Sequence, residues 1–373
     1  MRIHPGISSS LRDRFQRKLT NWFEENRRSF PWRRDRTPYR VLISELMLQQ
    51  TRADQARPYF HRFMKRFPSI RALASASRQE VLKAWEGLGY YARARNAHRA
   101  AQLLVERYGG CFPSTYEELL ALPGVGPYTA AAVGSLAMGI DAAVVDGNVA
   151  RVLSRVMAYG RDVGSSEGRK RIQSWATALL IPGKAGLSNE ALMELGAVCC
   201  LPRNPRCGAC PIKDVCRGFL EGDPQRYPVK KKKGKVPHKI VGAGVIVDKG
   251  GKILIAQRKE DAMLGGLWEF PGGTREKGES ISECIARELN EELGITAWVG
   301  TALITVHHAY SHFTIDLHAR WARIRKGRPR PIHCADFAWM PVTRLRRYPF
   351  SKADLQIVQA LEEWKGVFPP RPT

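Results

Sequence analysis

Four cysteines fall in one short window: Cys200, Cys207, Cys210 and Cys216, spaced C-x6-C-x2-C-x5-C. Four thiolates converging from one loop suit a [4Fe–4S] cluster, with a four-thiolate zinc site as the competing metal chemistry. The remaining cysteines, Cys111, Cys199, Cys284 and Cys334, have no partner spacing and read as buried small hydrophobes. A second group is acidic. Glu288, Glu291 and Glu292 lie at i, i+3 and i+4, so their carboxylates can share a helix face and hold Mg2+ or Mn2+. A third feature is a lone carboxylate: Val144-Val-Asp-Gly-Asn148 sets Asp146 after an apolar stretch and before a helix starting near Val149, where an N-cap is the usual reading of such a residue.

A glycine turn precedes that carboxylate. In Leu122-Pro-Gly-Val-Gly-Pro-Tyr-Thr-Ala130, Gly124 and Gly126 permit a tight turn around Val125, and Pro127 suits the first position of the next helix. Exposed N–H groups beside a positive helix end make a seat for a phosphate, a helix-hairpin-helix signature that grips a DNA backbone without reading its sequence.

The elements that must position these residues change texture along the chain. Phe15, Leu19, Trp22 and Phe23 lie at i, i+4, i+7 and i+8, one face of an amphipathic helix, and similar spacings recur up to residue 217. Residues 218–237, GFLEGDPQRYPVKKKKGKVP, read as a basic linker. Beyond it, IVGAGVIVDKGGKILIAQR reads as two strands joined by an Asp-Lys-Gly-Gly turn, followed by a helix over Ser280–Leu293 and further strands. The expected architecture is therefore multidomain: an all-α domain over 1–217, the linker, and an α/β (α+β) domain over 238–373.

The 373 residues carry 60 Lys+Arg against 35 Asp+Glu, a net charge of +25 that points to a polyanionic partner. Residues 1–217 hold +16, the linker +4 and the remainder +5. A hydrophobic content of 44% excludes a disordered chain. The longest nearly unbroken apolar run, Ala130–Ile140, falls short of the ~20 residues of a membrane span. With no apolar signal core in MRIHPGISSS, a cytoplasmic, nucleoid-associated protein without membrane contact is expected, and disulfides are not.

Together, the hairpin, the following Asp and the four-Cys loop resemble the endonuclease-III superfamily of DNA glycosylases. Within it, Ile43-Ser-Glu-Leu-Met-Leu-Gln-Gln-Thr51, Gly87-Leu-Gly-Tyr-Tyr-Ala-Arg-Ala-Arg-Asn96 and His308-Ala-Tyr-Ser-His312 resemble adenine DNA glycosylases of the MutY type. The resemblance implies a monomer that removes adenine mispaired with 8-oxoguanine, or with guanine, from double-stranded DNA. Glu45, beside apolar Leu46, Met47 and Leu48, stands at the family's catalytic acid, and Asp146 at the carboxylate beneath the sugar. Tyr128 stands where lyase-active relatives carry a Schiff-base Lys, so no efficient strand cutting is expected, and it would help position Asp146. Asn148, Trp32 and Glu190 match the adenine pocket. Gln50, Thr51, Leu88 and Tyr90 match residues that probe the oxidised guanine, as do Tyr310, Ser311 and His312, with Tyr310 where the family usually has Phe.

The second domain resembles a Nudix fold with one departure. Gly273-x5-Glu279-x7-Arg287-Glu288-Leu289-x-Glu291-Glu292-x-Gly294-Ile295 satisfies the complete Nudix box, which MutY-type proteins normally keep in eroded form. Residues 269–292 hold seven acids and three bases, a local −4. Two roles remain open for this domain, hydrolysis of 8-oxo-dGTP or a related nucleotide and a scaffold kept for reading 8-oxoguanine. For the whole chain, a non-catalytic DNA-damage binder is the alternative of a different class.

Overall fold

The computed structural model describes residues 7–230, 234 and 236–365. The chain divides into two compact units, residues 1–75 with 99–233 and residues 76–98 with 234–373. The N-terminal stretch to Gly6 and the linker lysines Lys231, Lys232, Lys233 and Lys235 lie outside the described residues.

The chain opens with α1 (Ser9–Asn26), α2 (Pro31–Arg34), α3 (Pro38–Leu48), α4 (Ala53–Arg66) and α5 (Ile70–Ser75). Then come α6 (Arg78–Trp85), α7 (Ala92–Tyr108), α8 (Tyr116–Leu120) and α9 (Pro127–Ala137). Next are α10 (Gly147–Val156), α11 (Ser166–Ala178), α12 (Ala185–Val198) and the short α13 (Arg217–Leu220).

In the first unit, α1 buries Phe15, Leu19 and Phe23, while Trp22 is only partly covered. Helix α3 starts from an N-cap Thr37 and Pro38 and is buried on nearly every side from Val41 to Met47, which carries Glu45 into the interior. Small residues let α12 approach its neighbours closely. A Cβ on Gly186 would sit 2.5 Å from the Ser135 carbonyl of α9, and one on Gly196 would sit 2.6 Å from the Asn148 Cβ of α10.

The stretch read as a linker is structured at its start. Arg217–Leu220 forms α13, Tyr227 is buried, and Arg155 Nε donates to the Tyr227 carbonyl at 3.0 Å. Burial of Tyr227 ties residues 218–230 to the helical unit, which a Gly/Pro/Lys composition could not reveal.

The second unit adds β1 (His238–Ile246), β2 (Ile253–Gln257), β3 (Trp268–Glu269), β4 (Gly272–Thr274), β5 (Thr296–Ala309), β6 (Thr314–Lys326) and β7 (Asp336–Met340). Its helices are α14 (Ile281–Leu293), α15 (Val342–Leu345) and α16 (Lys352–Glu362). The strands form two sheets, β4-β1-β6-β5 and β3-β2-β7. The Asp248 turn therefore joins strands of different sheets, with Asp248 Oδ1 accepting from Gly250 and Lys252 N–H at 2.8 Å each. Helix α14 begins with a Ser280/Glu283 capping box and ends at Gly294 with φ 66°. It lies on Gly242 and Gly244 of β1, where added Cβ atoms would meet Ile285 at 2.7 Å and 3.2 Å. A second apolar cluster joins Val245 and Ile255 to Ile357 and Val358 of α16.

Residues 76–98 belong to this second unit although they precede the sequence boundary at 217. Their polar bonds explain it: Trp268 Nε1 donates to Gln79 Oε1 at 3.1 Å, Phe350 N to Glu86 Oε1 at 3.0 Å, and Tyr91 Oη to the Phe350 carbonyl at 3.1 Å.

Candidate active site

Within the first unit, α2, α3, α9, α10 and α12 surround a cleft of about 770 Å3, a size suited to a small ligand. Glu45, Tyr128, Asp146, Asn148, Glu190 and Trp32 all line it, so six residues spread over 159 positions meet in one place. Gln50 and Thr51 line the same cleft.

Glu45 is 5% exposed. Burial pushes its pKa up to about 7; Tyr128 and Arg33 oppose the rise, and Asp146 and Glu190 add to it. The carboxyl can thus carry a proton near neutral pH and surrender it to a bound base. Tyr128 Oη donates to Glu45 Oε2 at 2.6 Å. This departs from the expectation that Tyr128 positions Asp146: the hydroxyl is spent on the other carboxylate.

Asp146 is held instead by its own helix. It is the N-cap of α10, with Oδ1 accepting the Val149 N–H at 2.7 Å and Oδ2 accepting Asn148 Nδ2 at 2.9 Å. Burial raises its pKa, and these hydrogen bonds act the other way. The capping role and the place in the cleft are both real, since one carboxylate serves as cap and site residue together. Arg151 Nη2 donates to Asn148 Oδ1 at 2.8 Å, and its Nε donates to the Cys200 carbonyl at 2.8 Å.

Trp32 stacks on Phe30 with ring centroids 5.0 Å apart, forming an apolar wall. Glu190 Oε1 lies 3.1 Å from Arg33 Nε, and buried Oε2 lies 2.8 Å from Arg36 Nη2 in an ion pair not aligned as a hydrogen bond. Arg33, Arg36, Arg151 and Glu194 were missed in the sequence. The run Pro31-Trp-Arg-Arg-Asp-Arg36 and the i, i+3 spacing of Asn148 and Arg151 were signals for three of them.

The hairpin takes the expected turn, with Gly124 at φ 73° and Gly126 capping α9 without a side-chain partner. Val125 corrects one detail: its N–H donates to the Leu122 carbonyl at 3.0 Å and closes the turn, so it is not available to a phosphate.

Cys200, Cys207, Cys210 and Cys216 line one apolar cavity, with Arg155 Nη1 3.2 Å from Cys200 Sγ. Among the described residues, no three His, Cys, Asp or Glu side chains meet as a single ion requires. Four thiols spread around a cavity fit a multi-atom cluster. Cys199, read as an isolated hydrophobe, lines the same cavity, and Cys111 is exposed rather than buried.

In the second unit, Leu88 is buried and Tyr90 is 42% exposed with φ 48°, Arg93 lying over its ring at 5.2 Å. Gln50 also has positive φ, at 60°. Non-glycine residues held there store strain that often marks contact residues. Tyr310 lies against His308 and Phe313 at 4.6 Å and 4.9 Å and lines a cavity with Asp354, while Ser311 and His312 are exposed. The Nudix-box acids do share one side of α14, but they are engaged. Arg287 bonds Glu279 at 2.6 Å, Glu288 at 3.0 Å and Glu291 at 3.2 Å, and Gly272 N–H donates to Glu292 at 3.2 Å. Buried Glu269 and Asp354 line the Tyr310 cavity, with the Glu292 charge acting on Glu269. Glu269 falls in the run Gly266-Leu-Trp-Glu-Phe-Pro-Gly-Gly273, whereas Asp354 had no motif to announce it.

Residues 43–177 match the HhH-GPD superfamily of base excision DNA repair proteins, 200–216 the iron–sulfur binding domain of endonuclease III, and 242–360 the NUDIX domain. The fold and site define the class: a helix-hairpin-helix base-excision glycosylase with an iron–sulfur loop and a C-terminal Nudix-like domain. An adenine DNA glycosylase of Homo sapiens is 35% identical over 362 residues, covering 81% of this chain and 65% of that protein, so the chain spans just under two thirds of its length. One of Rattus norvegicus is 32% identical over 403 residues, covering 94% of this chain and 78% of that protein. A solved structure of a thermostable thymine-DNA glycosylase superposes with a TM-score of 0.51 at 31% identity, covering 57% of this chain and 98% of that one. The chain belongs to the adenine DNA glycosylase family.

Proposed function

We propose that this protein excises adenine opposite 8-oxoguanine, and opposite guanine, in double-stranded DNA, leaving an abasic site. The observation that carries the reading is the pair of carboxyl groups, buried Glu45 and half-buried Asp146, on one cleft and in unlike surroundings. An adenine turned out of the stack would lie against Trp32 with its exocyclic amine toward Glu190. Glu45 gives its proton to N7, which turns the base into a neutral leaving group. Asp146, fixed by Asn148 and Val149, then faces the positive charge developing on the sugar. No lysine occupies Leu122–Ala130, so an amine nucleophile is missing from the hairpin and the strand stays intact. The two carboxyl groups also argue against a binder without catalysis.

Backbone N–H groups of Gly124 and Gly126 would receive a phosphate at the start of α9. Cys200, Cys207, Cys210 and Cys216 would hold a [4Fe–4S] cluster, whose contribution is to lock the loop and Arg155 in place. Tyr310, Ser311 and His312, with Leu88 and Tyr90, would distinguish 8-oxoguanine, Ser311 by accepting its N7–H. The chain would act as a monomer in the compartment that holds the DNA, and no described helix is long and apolar enough to cross a membrane.

The complete Nudix box supports a second reading, hydrolysis of 8-oxo-dGTP or a related nucleotide with Mg2+ or Mn2+. Burial and the Glu288 charge push Glu292 up to about 7, so these acids sit together at a cost that a cation would relieve. Against it, Arg287 already pairs with three box acids, Glu279, Glu288 and Glu291. We favour the scaffold role. Phosphate release from 8-oxo-dGTP, lost in Glu291→Gln/Glu292→Gln, would overturn that preference. The main reading is tested by alkali-dependent cleavage at adenine in an 8-oxoguanine:adenine duplex.

A further inference from the structure

One buried carboxylate on the wall of the cleft belongs to no motif. Glu194 is 1% exposed, one helical turn beyond Glu190 on α12. Its two oxygens are filled from one side: Arg28 donates through its backbone N–H at 3.1 Å and Nε at 2.7 Å, and Arg33 Nη2 donates at 2.9 Å. Arg33 is in turn fully committed. Its Nη1 reaches the Arg28 carbonyl at 2.8 Å, its Nε lies 3.1 Å from Glu190 Oε1, and its plane lies over the Phe23 and Phe30 rings at 5.6 Å and 5.2 Å.

We propose that Glu194 is a positioning residue on the cleft wall that holds part of the Arg33 charge to itself and so fixes how much of it reaches Glu190 and Glu45. A guanidinium held at three points cannot follow whichever carboxylate ionises, so the balance of charge at the cleft wall is built in before a base arrives. The groups facing Glu45 are Arg33 from α2, Tyr128 from α9, Asp146 from α10 and Glu190 from α12. Those facing Glu194 are Arg28 and Arg33, whose hydrogen bonds and charge outweigh burial and keep it ionised. Of these, Arg33 alone faces both.

The inference rests on the reading of Glu45 as the acid in adenine excision, and the test separates the two. Single-turnover excision from an 8-oxoguanine:adenine duplex is followed against pH for the full chain, Glu194→Gln and Arg28→Met. If the wild type releases no adenine, the functional reading fails first. Glu194→Gln leaves the Arg33 charge to Glu190 and Glu45, so the pH above which the rate declines moves down. A half-unit move lowers the rate on the alkaline side about threefold while the low-pH rate holds. Arg28→Met leaves Glu194 to pull harder on Arg33, so that limb moves up. Opposite shifts, with duplex affinity and visible cluster absorbance at wild-type levels, are the expected result. A limb that stays in place in both variants, or rates that fall by one factor at every pH, would reduce Glu194 to a packing residue and overturn the proposal.

Discussion

The Tyr128 hydroxyl donates a 2.6 Å hydrogen bond to Glu45 Oε2, and this single contact links the hairpin helix to the proton-bearing acid. The Tyr128 phenol stabilises the ionised form of Glu45. In Tyr128→Phe that stabilisation is lost and the Glu45 pKa rises further. The alkaline limb of the excision rate should then move up, measured by single-turnover assays across pH 6–9. A downward move would contradict the assigned direction of the bond.

Glu45 should also leave a mark on stability. Its pKa is about 7 folded against 4.5 when free, so the folded state binds the proton more tightly. Stability contributed by the protonated carboxyl is present below 4.5 and is lost as pH rises through 7. Glu45→Gln carries no such charge, so its melting temperature should exceed that of wild type by a margin that widens from pH 5 to pH 8. The difference is on the order of 3 kcal/mol when the ionisation is complete. Thermal melts at the two pH values check it.

Gly196 sets the distance between α12 and the Asp146 cap. A methyl group there would meet the Asn148 Cβ at 2.6 Å, so Gly196→Ala must displace Asn148 or α12. Overpacking of this kind costs about 1–3 kcal/mol. Excision should fall at least tenfold, because Asp146 loses its Nδ2 donor, while affinity for undamaged duplex holds. Equal losses in both would indicate general unfolding.

The cluster loop should be tied to the same network. Arg151 joins Asn148 Oδ1 to the Cys200 and Gly196 carbonyls and also reaches the Gly147 carbonyl, so Arg151→Met removes four charge-assisted hydrogen bonds. A broad absorbance near ~410 nm should be present in the wild type and absent in Cys200→Ala. In Arg151→Met it should persist while excision drops about tenfold, read by pairing the spectrum with the rate.

Legibility of the sequence followed the range of the interactions. Glu45 was marked only by the family resemblance of residues 43–51, whereas the four cysteines, the hairpin glycines and the capping place of Asp146 were readable because each sits in a short stretch with its own constraint. So was α14, whose Ser280 cap and Gly294 stop are both local signals. What escaped depended on distant partners. Tyr128 was assigned to Asp146 because only the packing of α3 against α9 brings Glu45 to its hydroxyl. Arg33 and Glu194 are 161 residues apart and carried no local pattern. The placement of 76–98 with the second unit rests on bonds from Gln79, Glu86 and Tyr91 to residues beyond 265, which no composition shift marks.

The central claim is that Glu45 and Asp146 together release adenine paired with 8-oxoguanine. The most direct measurement uses a labelled duplex containing that single pair, incubated with the protein and divided into samples with and without alkali. Cleavage at the adenine position that requires alkali and disappears in Glu45→Gln is the predicted result. Strand cutting without alkali, or tight binding with no adenine released, would contradict it.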